Sequence, residues 1–207
     1  VPGVPPASFV VLGAGVLGRA AARAALGLGA QVTLLDVSVA HLRQAAGHLP
    51  SPVTTMLATQ PSIEKALSFA DLVLGAVAVR EHRAPVLVTR EMLRLMKPRT
   101  VVVDLAIDMG GCFETSRPTT FGSPTYEVDG ILHMCIPNLP SVAARTATQA
   151  LTSALLPYLI AVADEGFEAA LGAHPGLARG THLYRGRCAS EPIARAFGVE
   201  WHPLSGA

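Results

Sequence analysis

The sequence of 207 residues has few lysines, few cysteines and no clustered charge, and each scarcity argues against a class of protein. Lys65 and Lys97 are its two lysines, and 16 Lys+Arg balance 15 Asp+Glu, so no basic surface is expected to follow a nucleic-acid backbone. The three cysteines are widely spaced and lack a C-x-x-C pattern. They therefore predict neither a disulfide framework nor a zinc ribbon, and they favour a reducing, cytoplasmic setting.

Several catalytic signatures are also missing. The seven histidines have no H-x-x-x-H or H-E-x-x-H spacing, so we expect no metal site. Neither the G-x-S-x-G elbow of α/β-hydrolases nor a P-loop pattern occurs. The first residues lack the charged and apolar regions of a secretory signal, so no export signal is expected.

One segment is apolar enough to raise the question of a membrane span. Residues 146–163 carry no charged side chain, and this length is close to the lower limit for crossing a bilayer. The same segment contains three threonines, a glutamine, a serine and a proline, which is too polar for a lone span. We therefore expect a buried helix of a large soluble protein and no membrane partner.

Half of the residues are hydrophobic, and short apolar runs alternate with helical stretches, as in an α/β protein. Apolar runs at residues 9–12, 32–35, 72–74 and 100–103 predict parallel strands that are covered by helices on both faces. Helical patterns at residues 16–28, 38–48, 62–69 and 89–96 fill the gaps, which predicts a Rossmann-type, doubly wound parallel sheet. After a strand-like segment at 130–136, a long helix at 141–166 and helices at 167–171 and 191–197 predict a C-terminal helical tail without strands.

A glycine-rich turn follows the first predicted strand and opens the first predicted helix. Gly13, Gly15 and Gly18 form a G-x-G-x-x-G pattern, in which the glycines allow a tight turn, a close backbone approach to a pyrophosphate and close helix–strand packing. Asp36 ends the second strand, where a carboxylate accepts hydrogen bonds from the adenosine ribose and repels a 2′-phosphate. The pattern predicts NAD as cofactor, although His41 and Arg43 could compensate the phosphate of NADP.

Other polar residues give weaker signals. Asp108 enters a glycine turn at the carboxyl end of a predicted strand, where open α/β sheets place ligand groups, but a turn-forming aspartate fits the same pattern. Asn138 lies between two prolines and could present its amide to a nicotinamide, or it could serve the turn alone. Cys112 has no patterned histidine partner, so we interpret it as a buried thiol.

Longer motifs together resemble one family, alanine dehydrogenase, and less closely the NAD-binding subunit of nicotinamide nucleotide transhydrogenase. The resemblance covers nearly the whole chain. It is carried by VDLAIDMGGCFE at 103–114, SRPTT at 116–120, PTY at 124–126, PNLP at 137–140, RTAT at 145–148, ALT at 150–152 and LPY at 156–158.

The resemblance implies oxidative deamination of L-alanine to pyruvate and ammonia by hydride transfer to NAD. It implies a catalytic role for Asp108. The residues that it implies for cofactor binding are Gly13, Gly15, Val16, Leu17, Gly18, Asp36, His41, Ala58, Val77, Ala78, Leu105, Ala106, Ile107, Asp108, Arg117, Ile136, Pro137, Asn138 and Leu139. Residues 79–85 depart from the family's usual small, glycine-containing version, so the shape of that rim is not implied.

The family's N-terminal half, which supplies an arginine, a lysine and a histidine to the substrate, has no counterpart here. We therefore interpret residues 1–144 as an NAD-binding Rossmann domain, and 145–207 as a helical segment that would pack on a substrate domain absent from this chain. The chain alone is expected to be inactive, and the family implies a homo-oligomer, a hexamer. The alternatives are a free-standing module that senses NAD or NADH, and the cofactor domain of a transhydrogenase-like or saccharopine dehydrogenase-like protein.

Overall fold

A computed structural model describes residues 2–78 and 83–204. It divides the chain into two compact units, Val1–Leu139 and Pro140–Ala207. The boundary between the units lies a few residues before the one expected after residue 144. The assignment of the second unit to the surface of a substrate domain stays a prediction.

The first unit is an α/β fold built on a seven-stranded sheet. Its strands are β1 (Ser8–Leu12), β2 (Gln31–Asp36), β3 (Thr54–Leu57), β4 (Leu72–Gly75), β5 (Val101–Asp104), β6 (Thr125–Val128) and β7 (Ile131–Met134). They are ordered β3-β2-β1-β4-β5-β7-β6, and every pairing is parallel except that of β6 with β7. Helices α1 (Val16–Gly27), α2 (Val39–His48) and α3 (Gln60–Phe69) connect the first four strands.

Apolar side chains pack against both faces of this sheet. Val10 belongs to a core cluster with Ile63 and Leu67 of α3, whereas the neighbouring Val11 belongs to a second cluster with Ala22 and Ala25 of α1. Successive side chains of a strand point to opposite faces, so a strand covered on both sides is apolar throughout. The doubly wound parallel sheet expected from the sequence is confirmed.

The connection from β4 to β5 differs from its prediction. The helix expected at residues 89–96 is a short 3-10 helix, Glu91–Leu95. Next to the start of this helix, the hydroxyl oxygen of Thr89 accepts a hydrogen bond from the backbone N–H of Met92 at 3.4 Å. Pro98 disfavours helical backbone at the residue before it, which limits the segment to little more than one turn.

Two strands of the first unit were missed. β3 carries Thr54 and Thr55 and is mostly exposed at the sheet edge, so it lacks an apolar run. β6 pairs with β7 through a two-residue turn of Asp129 (φ 52°) and Gly130 (φ 80°). Both turn residues have positive φ, as a tight hairpin turn of this kind requires.

The second unit is mainly helical. It contains α4 (Ala144–Glu165), α5 (Phe167–Ala173), α6 (Pro175–Gly180), β8 (Leu183–Tyr184), β9 (Arg187–Cys188) and α7 (Glu191–Phe197). The expectation that this segment has no strand is wrong, because β8 and β9 form an antiparallel hairpin. Arg185 (φ 49°) and Gly186 (φ 77°) make its turn, so the pairing depends on two positive-φ positions and not on an apolar run.

Helix α4 was expected to be buried, and in this chain it is not. Ala161 is the one buried residue among its 22 described residues. Leu151, Leu159 and Ile160 are 61%, 63% and 51% exposed, because the described residues of the chain cover little of the helix. By length and composition alone, the helical run Leu139–Glu165 could cross a membrane, a criterion that core helices also meet.

Candidate functional site

Two glycines of the loop between β1 and α1 are required by close packing. Gly13 has φ 103°, and a Cβ atom there would lie 2.5 Å from the carbonyl oxygen of Ala76. A Cβ atom on Gly18 would lie 1.8 Å from the carbonyl oxygen of Gly13. These positions let α1 start directly against the end of the sheet, as expected for the first and third glycines of the pattern.

The second glycine faces open space. A Cβ atom on Gly15 would meet no heavy atom within 4 Å. Gly15 is the N-cap of α1 and provides no side-chain hydrogen bond to the first turn, where Val16 is 81% exposed. Unpaired N–H groups and the positive end of the helix dipole therefore face a region that a side chain would fill, which suits a phosphate group.

Asp36 ends β2 beside this turn and is bound by backbone donors. Its carboxylate accepts hydrogen bonds from the N–H groups of Ala14 and Ser38, both at 2.7 Å. His41 Nδ1 lies 3.3 Å from the same carboxylate, whose side chain is 10% exposed. Asp36 thus holds the glycine loop in place while it keeps a negative charge at the edge of the open region.

A cavity of about 520 Å³ joins these features. The predicted site residues that line it are Gly13, Gly15, Val16, Leu17, Asp36, His41, Ala58, Val77, Ala78 and Leu105. The predicted residues outside its lining are Gly18, Ala106, Ile107, Asp108, Arg117, Ile136, Pro137, Asn138 and Leu139. The cavity therefore gathers the residues expected around the adenosine and the pyrophosphate, whereas most of those expected around the nicotinamide lie beyond its wall.

Sequence reasoning missed part of the cavity wall. Pro85, Leu87 and Met109 line it, because the N–H of Ala84 donates to the carbonyl oxygen of Met109 at 2.9 Å and joins the two segments. The remaining unpredicted lining residues are Leu12, Leu35, Val37, Ser38 and Ala76, all within two residues of a predicted residue. Residues 79–82 of the rim, for which no shape was implied, lie outside the described residues.

Asp108 and Asn138, both predicted site residues, contact each other. The carboxylate oxygens of Asp108 lie 3.0 and 3.2 Å from the backbone nitrogen of Asn138, which donates to them. Asn138 has φ 49°, a left-handed conformation that asparagine tolerates better than most residues. Asp108 lies in the 3-10 turn Ile107–Met109 at the carboxyl end of β5, so an exposed carboxylate lies next to Met109 of the cavity wall.

Arg117 is held away from the cavity wall by an aromatic ring. Its guanidinium carbon lies 4.0 Å from the centre of the Tyr126 ring, and its backbone N–H donates to the Tyr126 hydroxyl at 2.8 Å. Burial, together with a hydrogen bond to Cys135, raises the pKa of Tyr126 above its ordinary value, so this phenol stays protonated. It donates its own proton to the carbonyl oxygen of Thr115.

Cys112 is a buried thiol, as expected from the absence of a histidine partner. It is fully buried, and its Sγ lies 3.6 Å from a carboxylate oxygen of Asp104. Burial, and then the charge of Asp104, raise the pKa of this thiol well above its usual range. Within residues 2–78 and 83–204, no group of three or more His, Cys, Asp and Glu side chains could hold a metal ion.

Comparison with known proteins places this geometry in one family. The family described as "Alanine dehydrogenase/PNT, C-terminal domain" matches residues 1–191. The chain belongs to this family. It is 48% identical over 201 residues to the alanine dehydrogenase of Halomonas elongata, and the match covers 97% of this chain and 54% of that protein. It is 45% identical over 199 residues to the enzyme of Mycobacterium tuberculosis, covering 96% and 54%.

Solved structures agree with the family. A structure of L-alanine dehydrogenase matches with a TM-score of 0.85 and 41% identity, over 96% of this chain and 55% of that one. A transhydrogenase from Sinorhizobium meliloti matches less closely, with a TM-score of 0.67 and 33% identity over 75% and 44%. The chain spans about half the length of the curated relatives that it matches. The matched half is the NAD-binding domain of alanine dehydrogenases, so NAD is the cofactor that the loop and the cavity fit.

Proposed function

We propose that this chain is the cofactor-binding part of an NAD-dependent alanine dehydrogenase, which converts L-alanine to pyruvate and ammonia. The observation that carries the proposal is the family match over residues 1–191, combined with a glycine-loop cavity that this family's cofactor fits. NAD supplies the acceptor for the hydride that leaves the substrate carbon. The protein would contribute by binding the cofactor and the substrate, by orienting them, and by placing charged groups beside the reacting atoms.

The cofactor would lie along the cavity in one direction. The ribose and adenine would contact Asp36, His41 and Ala58, and the pyrophosphate would accept N–H groups at the start of α1. The nicotinamide would then extend past Leu105 towards Asp108, which lies beyond the cavity wall.

Asp108 has the charge that this chemistry needs. An amine whose carbon loses a hydride becomes an iminium cation, so a carboxylate beside it stabilises the transition state more than the neutral amine. In the described chain Asp108 is exposed and bonded to a backbone N–H, which orients it and leaves it free to act on a ligand. We propose that Arg117 and residues 136–139 complete the nicotinamide end, although they do not line the cavity.

The groups that would hold the substrate carboxylate and move its protons are not assigned in this chain. We propose that they belong to a further substrate domain, in line with the longer relatives, and that the exposed apolar face of α4 packs against it. On this proposal the chain alone is inactive. We also propose a homo-oligomeric, cytoplasmic enzyme, the latter because its three cysteines are free and buried.

A second candidate is a free-standing module that binds NAD or NADH without catalysis. It is favoured by one observation, since every residue that lines the cavity belongs to the first unit of this chain. On this alternative the cavity needs no other part of a protein to bind its ligand. The two candidates share the binding step and differ in the substrate reaction.

The binding step is tested by titrating the 207-residue chain with NADH and following cofactor fluorescence. We expect saturable binding that Gly15→Val abolishes, because this side chain would fill the open space at the start of α1. Gly47→Val is the matched control, since Gly47 of α2 also has no neighbour within 4 Å and lies outside the cavity lining. Absence of NADH binding to the wild-type chain would contradict both candidates.

The substrate step is tested with a chimera. The part of the Halomonas elongata enzyme that precedes its matching half is joined to residue 1 of this chain, and formation of NADH is measured with L-alanine. Alanine-dependent NADH formation by the chimera, together with none by the 207-residue chain, would support the dehydrogenase. A chimera that folds and binds NADH but oxidises neither alanine nor another amino acid would favour the binding module.

A further inference from the structure

A buried carboxylate at the end of β5 has no part in the function proposed above. Asp104 is 0% exposed and is the last residue of the strand that leads to Asp108. In the described chain it forms no ion pair or hydrogen bond with a lysine or an arginine. A buried carboxylate costs several kcal/mol unless hydrogen-bond donors compensate it, so the donors around Asp104 are informative.

Two of these donors lie on opposite sides of Asp108 in the sequence. The N–H of Ala106 donates to Oδ1 of Asp104 at 2.9 Å, and the N–H of Cys112 donates to Oδ2 at 2.8 Å. The segment between them contains the 3-10 turn with Asp108 and the positive-φ residues Gly110 and Gly111. One side chain thus fixes both ends of the loop that presents Asp108.

A third donor connects Asp104 to the next predicted cofactor segment. The hydroxyl of Ser116 donates to Oδ2 of Asp104. The following residue, Arg117, is in turn held by the ring and hydroxyl of Tyr126. Asp104 therefore bonds to Ala106, within the segment 105–108, and to Ser116, which directly precedes Arg117. Segment 105–108 and Arg117 are both proposed to meet the nicotinamide end of the cofactor.

The loop packs closely against Asp104 at two glycines. A Cβ atom on Gly111 would lie 2.7 Å from Oδ2 of Asp104 and 2.8 Å from Cβ of Ser116. A Cβ atom on Gly75 of the neighbouring strand would lie 2.3 Å from Sγ of Cys112 and 3.1 Å from Oδ1 of Asp104. Glycine at both positions lets the loop close directly over the carboxylate.

We propose that Asp104 is a positioning residue for the nicotinamide end of the dinucleotide site, and this inference rests on the proposed function. It does not touch the cofactor. It holds the loop from Ala106 to Ser116 so that Asp108 and Arg117 keep their places. The adenosine end depends on Asp36 and the glycine loop, which share no hydrogen bond with Asp104, so the two ends can be tested separately.

The test compares two ligands, NADH and ADP-ribose, which lacks the nicotinamide. In Asp104→Asn an amide N–H group replaces one acceptor oxygen and faces the donors of the loop, so we expect NADH to bind roughly tenfold more weakly. ADP-ribose affinity should stay within roughly twofold, because its contacts are elsewhere. Ser116→Ala removes the Ser116 donor alone and should give a smaller loss of the same kind.

Thr100→Val is the matched control for simple destabilisation. Thr100 is 3% exposed, directly precedes β5 at its other end, and donates its hydroxyl to the carbonyl oxygens of Ala70 and Lys97. This variant should lower the unfolding temperature without changing the ratio of the two affinities. Hydrogen exchange at Ala106 and Cys112 should quicken in Asp104→Asn and not in Thr100→Val.

The outcomes separate this inference from the function on which it rests. A selective loss of NADH affinity in Asp104→Asn, or in Ser116→Ala where Asp104→Asn does not fold, supports the positioning role. Equal losses for both ligands, no loss, or the same selective loss in Thr100→Val would overturn it while leaving the proposed function in place. A wild-type chain that binds neither ligand would overturn the two together.

Discussion

Replacing Asp36 with asparagine changes one charge at the end of β2 that is proposed to select NAD over NADP. The carboxylate lies in the cavity wall with a side chain that is 10% exposed, and it accepts N–H groups of Ala14 and Ser38. The substitution keeps the size of the side chain and removes the charge. The preference for NADH over NADPH should therefore fall strongly, whereas the shape of the site should change little.

The magnitude follows from the charges. A 2′-phosphate carries a charge of about −1.5 to −2 at pH 7. Two unit charges at about 4 Å repel by about 1 kcal/mol in water and about 4 kcal/mol at the effective dielectric constant near a protein surface. A side chain with little exposure lies between these limits, so the carboxylate should disfavour NADPH by about 2–3 kcal/mol, roughly 30-fold to 150-fold.

NADH should lose less. An asparagine retains one carbonyl oxygen that can accept a hydrogen bond, but its amide N–H group then faces either Ala14 N–H or Ser38 N–H and leaves that donor without an acceptor. The expected cost is about 1 kcal/mol in NADH affinity, about fivefold, and about 1–3 kcal/mol in the free energy of unfolding. The combined effect is a ratio of NADH to NADPH affinity that falls by about two to three orders of magnitude.

The assay is a pair of fluorescence titrations, with NADH and with NADPH, at low and high salt. The preference of the wild type should weaken as salt rises, because the repulsion is partly screened. Asp71→Asn is the matched control: Asp71 also accepts a backbone N–H, from Ser8 at 2.8 Å, but it directly precedes β4, at the opposite end of the sheet from the cavity. An unchanged NADH preference in Asp36→Asn, or an equal change in Asp71→Asn, would refute the reasoning.

Two further substitutions test the packing and the buried histidine of the first unit. Gly18→Ala should lower the free energy of unfolding by about 1–3 kcal/mol or more, because its Cβ would lie 1.8 Å from the carbonyl oxygen of Gly13. The control Gly27→Ala, in the open part of α1, should be neutral or stabilising. Similar thermal unfolding temperatures for the two variants would contradict this prediction. Burial lowers the pKa of His133 below its ordinary 6.5, so the stability associated with its neutral form is complete above about pH 6.5 and is lost as the pH falls towards the lower folded value. The glutamine variant His133→Gln should therefore lose less stability than the wild type between pH 7.5 and 5.5 in urea unfolding, and equal losses would contradict the role of burial.

The parts of the fold that were predictable are those with a local physical cause. Each predicted strand of the sheet core is an apolar run, and the glycine pattern and Asp36 occur together because a tight turn and a ribose-binding acid need fixed spacing along the chain. The same reasoning could have found β6 and the start of β7. Asp129 and Gly130 form the dipeptide that most strongly indicates a two-residue hairpin turn, and the apolar run at 130–136 obscured where the turn ends and the strand begins.

Other parts could not be predicted because they depend on contacts between distant segments. Pro85 and Leu87 belong to the cavity only because Ala84 and Leu87 donate hydrogen bonds to Met109 and Cys112, respectively, more than twenty residues later. For α4 the composition indicated burial, yet the described chain covers little of it. The composition of a helix indicates that its apolar side chains need to be buried, but it does not indicate which segment packs against them.

Both ends of the proposed cofactor site depend on the same arrangement. Asp36 at the end of β2 and Asp104 at the end of β5 each accept backbone N–H groups from the loop that follows their own strand, and Asp36 also accepts one from the glycine loop after β1. Neither forms an ion pair with a lysine or an arginine in the described residues. Backbone N–H groups can compensate these two carboxylates without a lysine or an arginine, because their fixed dipoles stabilise the negative charge. The same hydrogen bonds hold the loops that carry the N–H groups in place. The difference between the two residues then follows from exposure: Asp36 borders the cavity and can meet a ligand, whereas Asp104 is fully buried and acts only through the loop that it holds.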